Sequence, residues 1–212
     1  MHNHFDKNLN LKKWILEKRP KVIVECGSGN GELTKQLSSL LDIYDFKLFV
    51  ISDRPVNDVD KRVIFKTGLS FNVLKEFQDE SIDLCVIDTD HNYWTLMKEF
   101  EAVFNKMSEG GLIALHDVET FYHDTGMALK YSNGEPYPKE EIQKFSPYGS
   151  LGDAMIDFLH LKKMNYKLLH FTNQSNGAAL IEKKSQSHYS IVVPGSNPLY
   201  AESVVEEVAN AG

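Results

Sequence analysis

Cysteine is scarce in this chain of 212 residues: Cys26 and Cys85 are the whole supply. Both sit inside apolar runs, so they are expected as buried free thiols in a reducing setting rather than as a disulfide scaffold. Positive charge is also short, with 23 Lys and Arg against 30 Asp and Glu and a formal net charge of −7. That balance argues against broad binding to a phosphate backbone, and no nucleic acid is expected as a partner. No apolar run approaches 18 residues, so no membrane span is expected. No secretory pattern stands at the N-terminus, and a soluble, cytoplasmic protein is the expectation. Internal repeats and low-complexity segments are missing as well. What remains is ordinary for a packed globule: 42% apolar residues, 11% aromatic and 25% charged, over a length that suits one sizeable α/β domain.

The chain is organised around Val22-Ile-Val-Glu-Cys-Gly-Ser-Gly-Asn-Gly31. Val22 to Val24 reads as a buried strand, bounded by Pro20 and a glycine turn. Glu32 to Leu41 follows with helical spacing of Leu33, Leu37, Leu40 and Leu41. Strand, glycine turn and helix make a nucleotide-type cradle, because glycines let a backbone adopt positive φ and approach a ligand closely. The dinucleotide fingerprint G-x-G-x-x-G needs its third glycine where this chain has Glu32, which counts against a nicotinamide or flavin cofactor. Glu25 could order the turn or receive a hydrogen bond relayed from a cationic amino-acid ligand.

Further strands are read at Phe46–Ile51, Val63–Lys66, Ile82–Ile87, Leu112–Leu115, Tyr166–Phe171 and Gly177–Glu182. Helices are read at Leu9–Lys18, Phe71–Phe77, Trp94–Met107 and Leu151–Lys163, with Gly110-Gly111 expected to end the third of these. Five strands alternate with helices and a helix plus hairpin closes the series. This predicts a Rossmann-like three-layer α/β sandwich: a mostly parallel seven-stranded sheet with a terminal antiparallel hairpin. Residues 1–19 are expected as an N-terminal helical flap, 20–182 as the main domain and 183–212 as a C-terminal tail that could support a homo-oligomer. Within the domain, 119–150 reads as a substrate-side insertion or lid, since a loop of that length is usually functional. His2 and His4 read as solvated residues of a polar tail.

Parallel strands present their C-terminal ends to the ligand crevice. Asp53, 24 residues beyond Gly29, stands where a carboxylate can accept from ribose hydroxyls. Asp88-Thr-Asp-His91 closes the fourth strand and His116-Asp117 the fifth. Two carboxylates and an imidazole are reasonable ligands for a divalent ion, so Asp88, His116 and Asp117 are candidate metal ligands. The pair His116-Asp117 could equally order its loop without metal. Asp90 is expected to cap the next helix or to touch a cofactor.

Glu25-Cys-Gly-Ser-Gly-Asn-Gly31, Asp53 and the terminal hairpin resemble the class I S-adenosylmethionine-dependent methyltransferases over about residues 20–182. The resemblance implies that the loop of Gly27, Ser28 and Gly29 holds the methionine part of the cofactor, with Glu25 beside it. It implies that Asp53 binds the ribose, that Gly68 and Ser70 border the adenine, and that Asp88 adjoins the cofactor. Asp88, His91, His116 and Asp117 further resemble the metal-dependent O-methyltransferases of catechols, caffeoyl esters and macrolide sugars, and the cephalosporin-hydroxylase-like group. Those families place metal ligands at Asp88 and at the two residues ending strand five. They place the base three residues past the first acid: lysine in the catechol type, histidine in the sugar type. Here that residue is His91. The catechol enzymes carry Asp-Asn where this chain has His116-Asp117.

The function so implied is methylation of a hydroxyl on a small molecule, a sugar or phenol, with Mg²⁺ lowering the hydroxyl's pKa and His91 taking its proton. The rivals are a metal-independent methyltransferase of the same fold, acting on O, N or C, and a cofactor-binding protein without methyl transfer. A nicotinamide oxidoreductase is disfavoured by Glu32.

Overall fold

In a computed structural model of the chain, the described residues are 9, 11–53, 56–118, 151–172 and 177–184. The elements are α1 (Leu11–Lys18), β1 (Val22–Cys26), α2 (Glu32–Ser39), β2 (Lys47–Ile51), β3 (Ile64–Lys66), α3 (Ser70–Val73), β4 (Ile82–Ile87), α4 (Tyr93–Val103), β5 (Met107–His116), α5 (Leu151–Leu161), β6 (Tyr166–Thr172) and β7 (Ala178–Lys183). Strand order is β3-β2-β1-β4-β5-β7-β6. The pairings from β3 across to β5 are parallel, and β7 runs antiparallel to both β5 and β6. The expected mostly parallel seven-stranded sheet with its terminal hairpin is therefore present.

Period-two alternation splits the core between the two sheet faces. Ile23, Leu48, Val50, Leu84 and Val86 pack on one side with Leu11 and Ile15 of α1 and Leu37 of α2. Val24, Cys26, Cys85 and Ile87 pack on the other with residues of α3, α4 and α5. There the rings of Phe100 and Phe158 stack at 4.1 Å and lock α4 to α5. Full burial of a side chain of that size contributes roughly 1.5–3 kcal/mol. Leu11 and Ile15 are 2% and 1% exposed, so α1 is a layer of the core.

The helix expected over Trp94–Met107 departs most from the sequence reading. It ends at Val103, and Met107 with Gly110 and Gly111 belongs to β5. Its last turn is drawn into the sheet: the Glu80 and Ile82 N–H groups donate to the carbonyls of Asn105 and Lys106 at 2.9 and 2.8 Å. The β4–β5 register then slips between Ile82↔Met107 and Leu84↔Leu112. Gly110, at φ 71, takes up the extra residues. The glycine pair serves a strand irregularity and not a helix C-terminus. The helix from Glu32 also tightens early, into a 3₁₀ turn at Leu40–Asp42.

Several expectations fall outside the described residues: the 119–150 insertion, where the sequence reads His123 and Asp124 as lid residues and His123 as a back-up base, the turn that it reads at Asn173–Asn176, the 185–212 part of the tail, and His2 and His4.

Candidate active site

Strand order reverses at β1, whose neighbours β2 and β4 lead away in opposite directions. Loops diverge from such a point and leave a crevice at the strand C-termini. A cavity of about 370 Å³ occupies it, lined by Gly27, Ser28, Gly29, Ser52, Asp53, Gly68, Ser70, Asp88, Thr89 and Asp90 among others. That volume lies in the range of small-molecule and cofactor sites.

The wall on the β1 side is made by backbone. Gly27 has φ 85, and its N–H donates to the Ile51 carbonyl at 2.9 Å. A Cβ there would sit 1.9 Å from the Asp88 carbonyl oxygen, so no side chain fits. At Gly29, with φ 50, a Cβ would meet nothing within 4 Å. The two loops are tied together where the Ser28 hydroxyl donates to that of Ser52 at 2.7 Å. Glu25 stands behind this wall, outside the cavity lining. Its Oε1 accepts from the Thr34 hydroxyl of α2 at 3.0 Å, while Oε2 has no hydrogen-bond partner among the described residues. Burial pushes its carboxyl up to about 8, against the pull of Thr34.

On the β4–β5 side the wall gives way to charged side chains. Ligand atoms of Asp88, His116 and Asp117 all lie within 4.8 Å of one another. His116 Nδ1 is 3.0 Å from Asp117 Oδ1 and 3.7 Å from Asp88 Oδ1. His91 Nε2 lies between the carboxylates, 3.3 Å from Asp88 Oδ1 and 3.2 Å from Asp117 Oδ2. Asp117 reaches this point from a left-handed backbone, φ 56, which non-glycine residues seldom adopt. Burial works against a charge on Asp88, but the facing imidazoles of His116 and His91 outweigh it and hold the carboxyl at about 2. For His116 burial again opposes charge, yet Asp117 and Asp88 raise the imidazole to about 9. The hydrogen bond to Asp88 likewise raises His91. Two carboxylates with two nitrogen bases make a donor set that suits a hard or borderline divalent ion.

Residues 24–118 match the model of a family described as a methyltransferase domain. A comparison with curated proteins found no match. Among solved structures, a Staphylococcus aureus protein provisionally described as a caffeoyl-CoA O-methyltransferase is 19% identical, with TM-score 0.55, over 82% of this chain and 81% of that one. The Podospora anserina methyltransferase PaMTH1, solved with S-adenosylhomocysteine, is 17% identical with TM-score 0.58 over 87% and 80%. MycE of the mycinamycin biosynthetic pathway, solved with Mg, S-adenosylhomocysteine and mycinamycin VI, is 16% identical with TM-score 0.55; 87% of this chain aligns with 51% of it. The chain has the class I methyltransferase fold.

Within that methyltransferase fold, Gly27, Ser28, Gly29, Asp53, Gly68, Ser70 and Asp88 come together around one cavity. Asp88, His91, His116 and Asp117 come together beside it. Glu25 joins neither group. Asp90 lines the cavity and does not cap α4; that role falls to Asn92, whose Oδ1 accepts from the Thr95 N–H at 2.9 Å. The residue that sequence reasoning missed is Glu99 of α4. It is fully buried, and its Oε1 accepts from the hydroxyls of Ser70 and of Thr89, the latter at 2.7 Å. The signal was an acid three residues from Leu96 and four from Val103, inside the apolar stripe of the helix.

Proposed function

We propose that this chain is an S-adenosylmethionine-dependent methyltransferase acting on a hydroxyl of a small molecule, a sugar or phenol, with help from a divalent ion, Mg²⁺ being the expected one. The observation that carries this reading is the continuity of the site. One cavity starts on the glycine wall and ends at Asp88, which also belongs to the His91–His116–Asp117 cluster. The S-adenosylhomocysteine of PaMTH1 and the Mg of MycE lend support from proteins of the same fold.

S-adenosylmethionine, when bound, supplies an electrophilic methyl group on its sulfonium. Gly27, Ser28 and Gly29 would hold its amino-acid part, Asp53 would accept from the ribose, and Gly68 and Ser70 would border the adenine. The room beside Gly29 and the exclusion of any side chain at Gly27 fit such a close backbone approach. A divalent ion held by Asp88, His116 and Asp117 would lower the pKa of an acceptor hydroxyl. His91 would take the hydroxyl proton on Nε2, and the two carboxylates facing that nitrogen would stabilise the imidazolium formed. The rest of the protein's work is orientation.

A metal-independent version of the same reaction draws on one observation: the two imidazoles already neutralise the two carboxylates by direct contact. The experiment is a pair of measurements. S-adenosylhomocysteine should raise the melting temperature and NAD should not; the reverse would overturn the cofactor reading. EDTA should then abolish turnover and Mg²⁺ restore it, whereas EDTA-insensitive turnover would leave the metal-free version.

A further inference from the structure

Glu99 costs the fold something that an apolar residue would not. It projects from α4 with no exposed surface, and its Oε2 has no hydrogen-bond partner among the described residues. Burial raises its carboxyl to about 7, while Ser70 and Thr89 pull the other way. A leucine or methionine would fill this stripe without stranding a polar oxygen.

What Glu99 does there is visible from its other oxygen. Oε1 accepts from the Ser70 hydroxyl, at the start of α3, and from the Thr89 hydroxyl, just past β4. Both residues line the cavity, from opposite segments. A hydroxyl carries one proton. Once that proton is committed to Glu99, only lone pairs remain for a ligand. With both hydroxyl protons accepted by Oε1, each hydroxyl turns a lone pair to the cavity.

We propose that Glu99 is a positioning residue that turns Ser70 and Thr89 into fixed acceptors, so that the cavity selects a 6-amino purine nucleoside over a 6-oxo one. This rests on the cofactor reading above. The amino group offers N–H donors to the two oxygens, and a carbonyl in its place would set lone pairs against lone pairs.

Isothermal titration of the full chain with S-adenosylhomocysteine and S-inosylhomocysteine tests it. A preference of about tenfold or more for the adenosyl compound is expected, the size of one buried donor–acceptor mismatch. Glu99→Leu, which frees the hydroxyls to donate, should narrow the preference to about threefold or less. Glu99→Gln keeps an oxygen that can accept both protons and should retain it. A Ser70→Ala, Thr89→Val double variant removes the acceptors and should also narrow it, which keeps the test open if Glu99→Leu does not fold. If Glu99 served packing alone, its loss would weaken both ligands alike and leave the ratio unchanged, and that result would overturn the proposal. Equal binding of the two nucleosides by the unaltered protein would overturn it too, while leaving the methyltransferase reading in place. Binding of neither would overturn both.

Discussion

The two sides of the strand-end crevice are built from different materials. Next to β1 and β2 the wall is backbone: a glycine that admits no Cβ, a glycine facing open space, and a hydroxyl pair joining two loops. Next to β4 and β5 it is side chain: two carboxylates and two imidazoles within about one coordination sphere of each other. A wall of the first kind fails by shape at its close-packed point, since an atom added at Gly27 collides. A wall of the second kind keeps its shape under isosteric replacement and fails by charge. The proposed division of labour follows, with recognition of a common cofactor on the first side and chemistry on the second.

The largest effect should come from breaking the shape side. Gly27→Ala places a Cβ 1.9 Å from the Asp88 carbonyl oxygen, and neither partner is a flexible side-chain end. The collision adds to the cost of a left-handed alanine, roughly 1–2 kcal/mol, and separates β1 from β4 at the site itself. Loss of the thermal shift by S-adenosylhomocysteine and a large fall in melting temperature are expected. Gly29→Ala is the control, since it carries the backbone cost alone and should lose only about 2–8 °C. Similar melting curves and ligand shifts for the two variants would refute a wall defined by close approach.

Asp117→Asn breaks the charge side with nearly no change of shape. Asparagine tolerates the left-handed backbone found at this position, so the fold should survive. The His91 and His116 contacts would lose a negative partner. Turnover should fall by about 10²–10⁴, in the range seen when general acid–base machinery is disabled. Affinity for S-adenosylhomocysteine should stay within about threefold, because Asp117 does not line the cavity. A parallel loss of cofactor affinity and turnover would mean that the two sides are one unit.

How legible each side was follows from the same contrast. The glycine wall is a local motif, written in consecutive residues, and Gly27, Ser28 and Gly29 could be placed from sequence with their strand and helix. The strand-end residues Asp53, Asp88, His91, His116 and Asp117 were also legible, because in a parallel sheet the end of a strand has a known destination. Contacts across the fold were harder. Glu25 sits where the motif puts it, yet its side chain turns under α2 to Thr34, since alternation sends it to the face opposite Val24 and Cys26. Glu99 was hidden because nothing local distinguishes a buried acid on a helix from a solvated one until its partners, Ser70 at the start of α3 and Thr89 just past β4, are brought against it by the fold. The Gly110-Gly111 pair misled for a related reason: a helix stop and a strand bulge ask for the same residue, and only the β4–β5 register separates them.

The smallest expected effect is the pH dependence of stability, and it separates the two sides by window. His116 is raised from 6.5 to about 9, so its contribution is complete below about pH 6.5 and is lost as pH rises through 9. Glu25 is raised from 4.5 to about 8, so folding binds extra protons between those values and stability declines across them as pH rises. Asp88 works in the opposite sense. It is lowered from 3.8 to about 2, and its contribution is lost only as pH falls through that range. Between pH 6.5 and 9 both raised groups act in the same direction, and the melting temperature of the ligand-free protein should fall steadily as pH rises through that window. His116→Gln should flatten the curve up to pH 9. Glu25→Gln should flatten it only below pH 8, because its group belongs to the other wall and has finished titrating there. A melting temperature that rises from pH 6.5 to 9, or a His116→Gln curve as steep as the parent's, would remove the charge-built cluster as a source of stability.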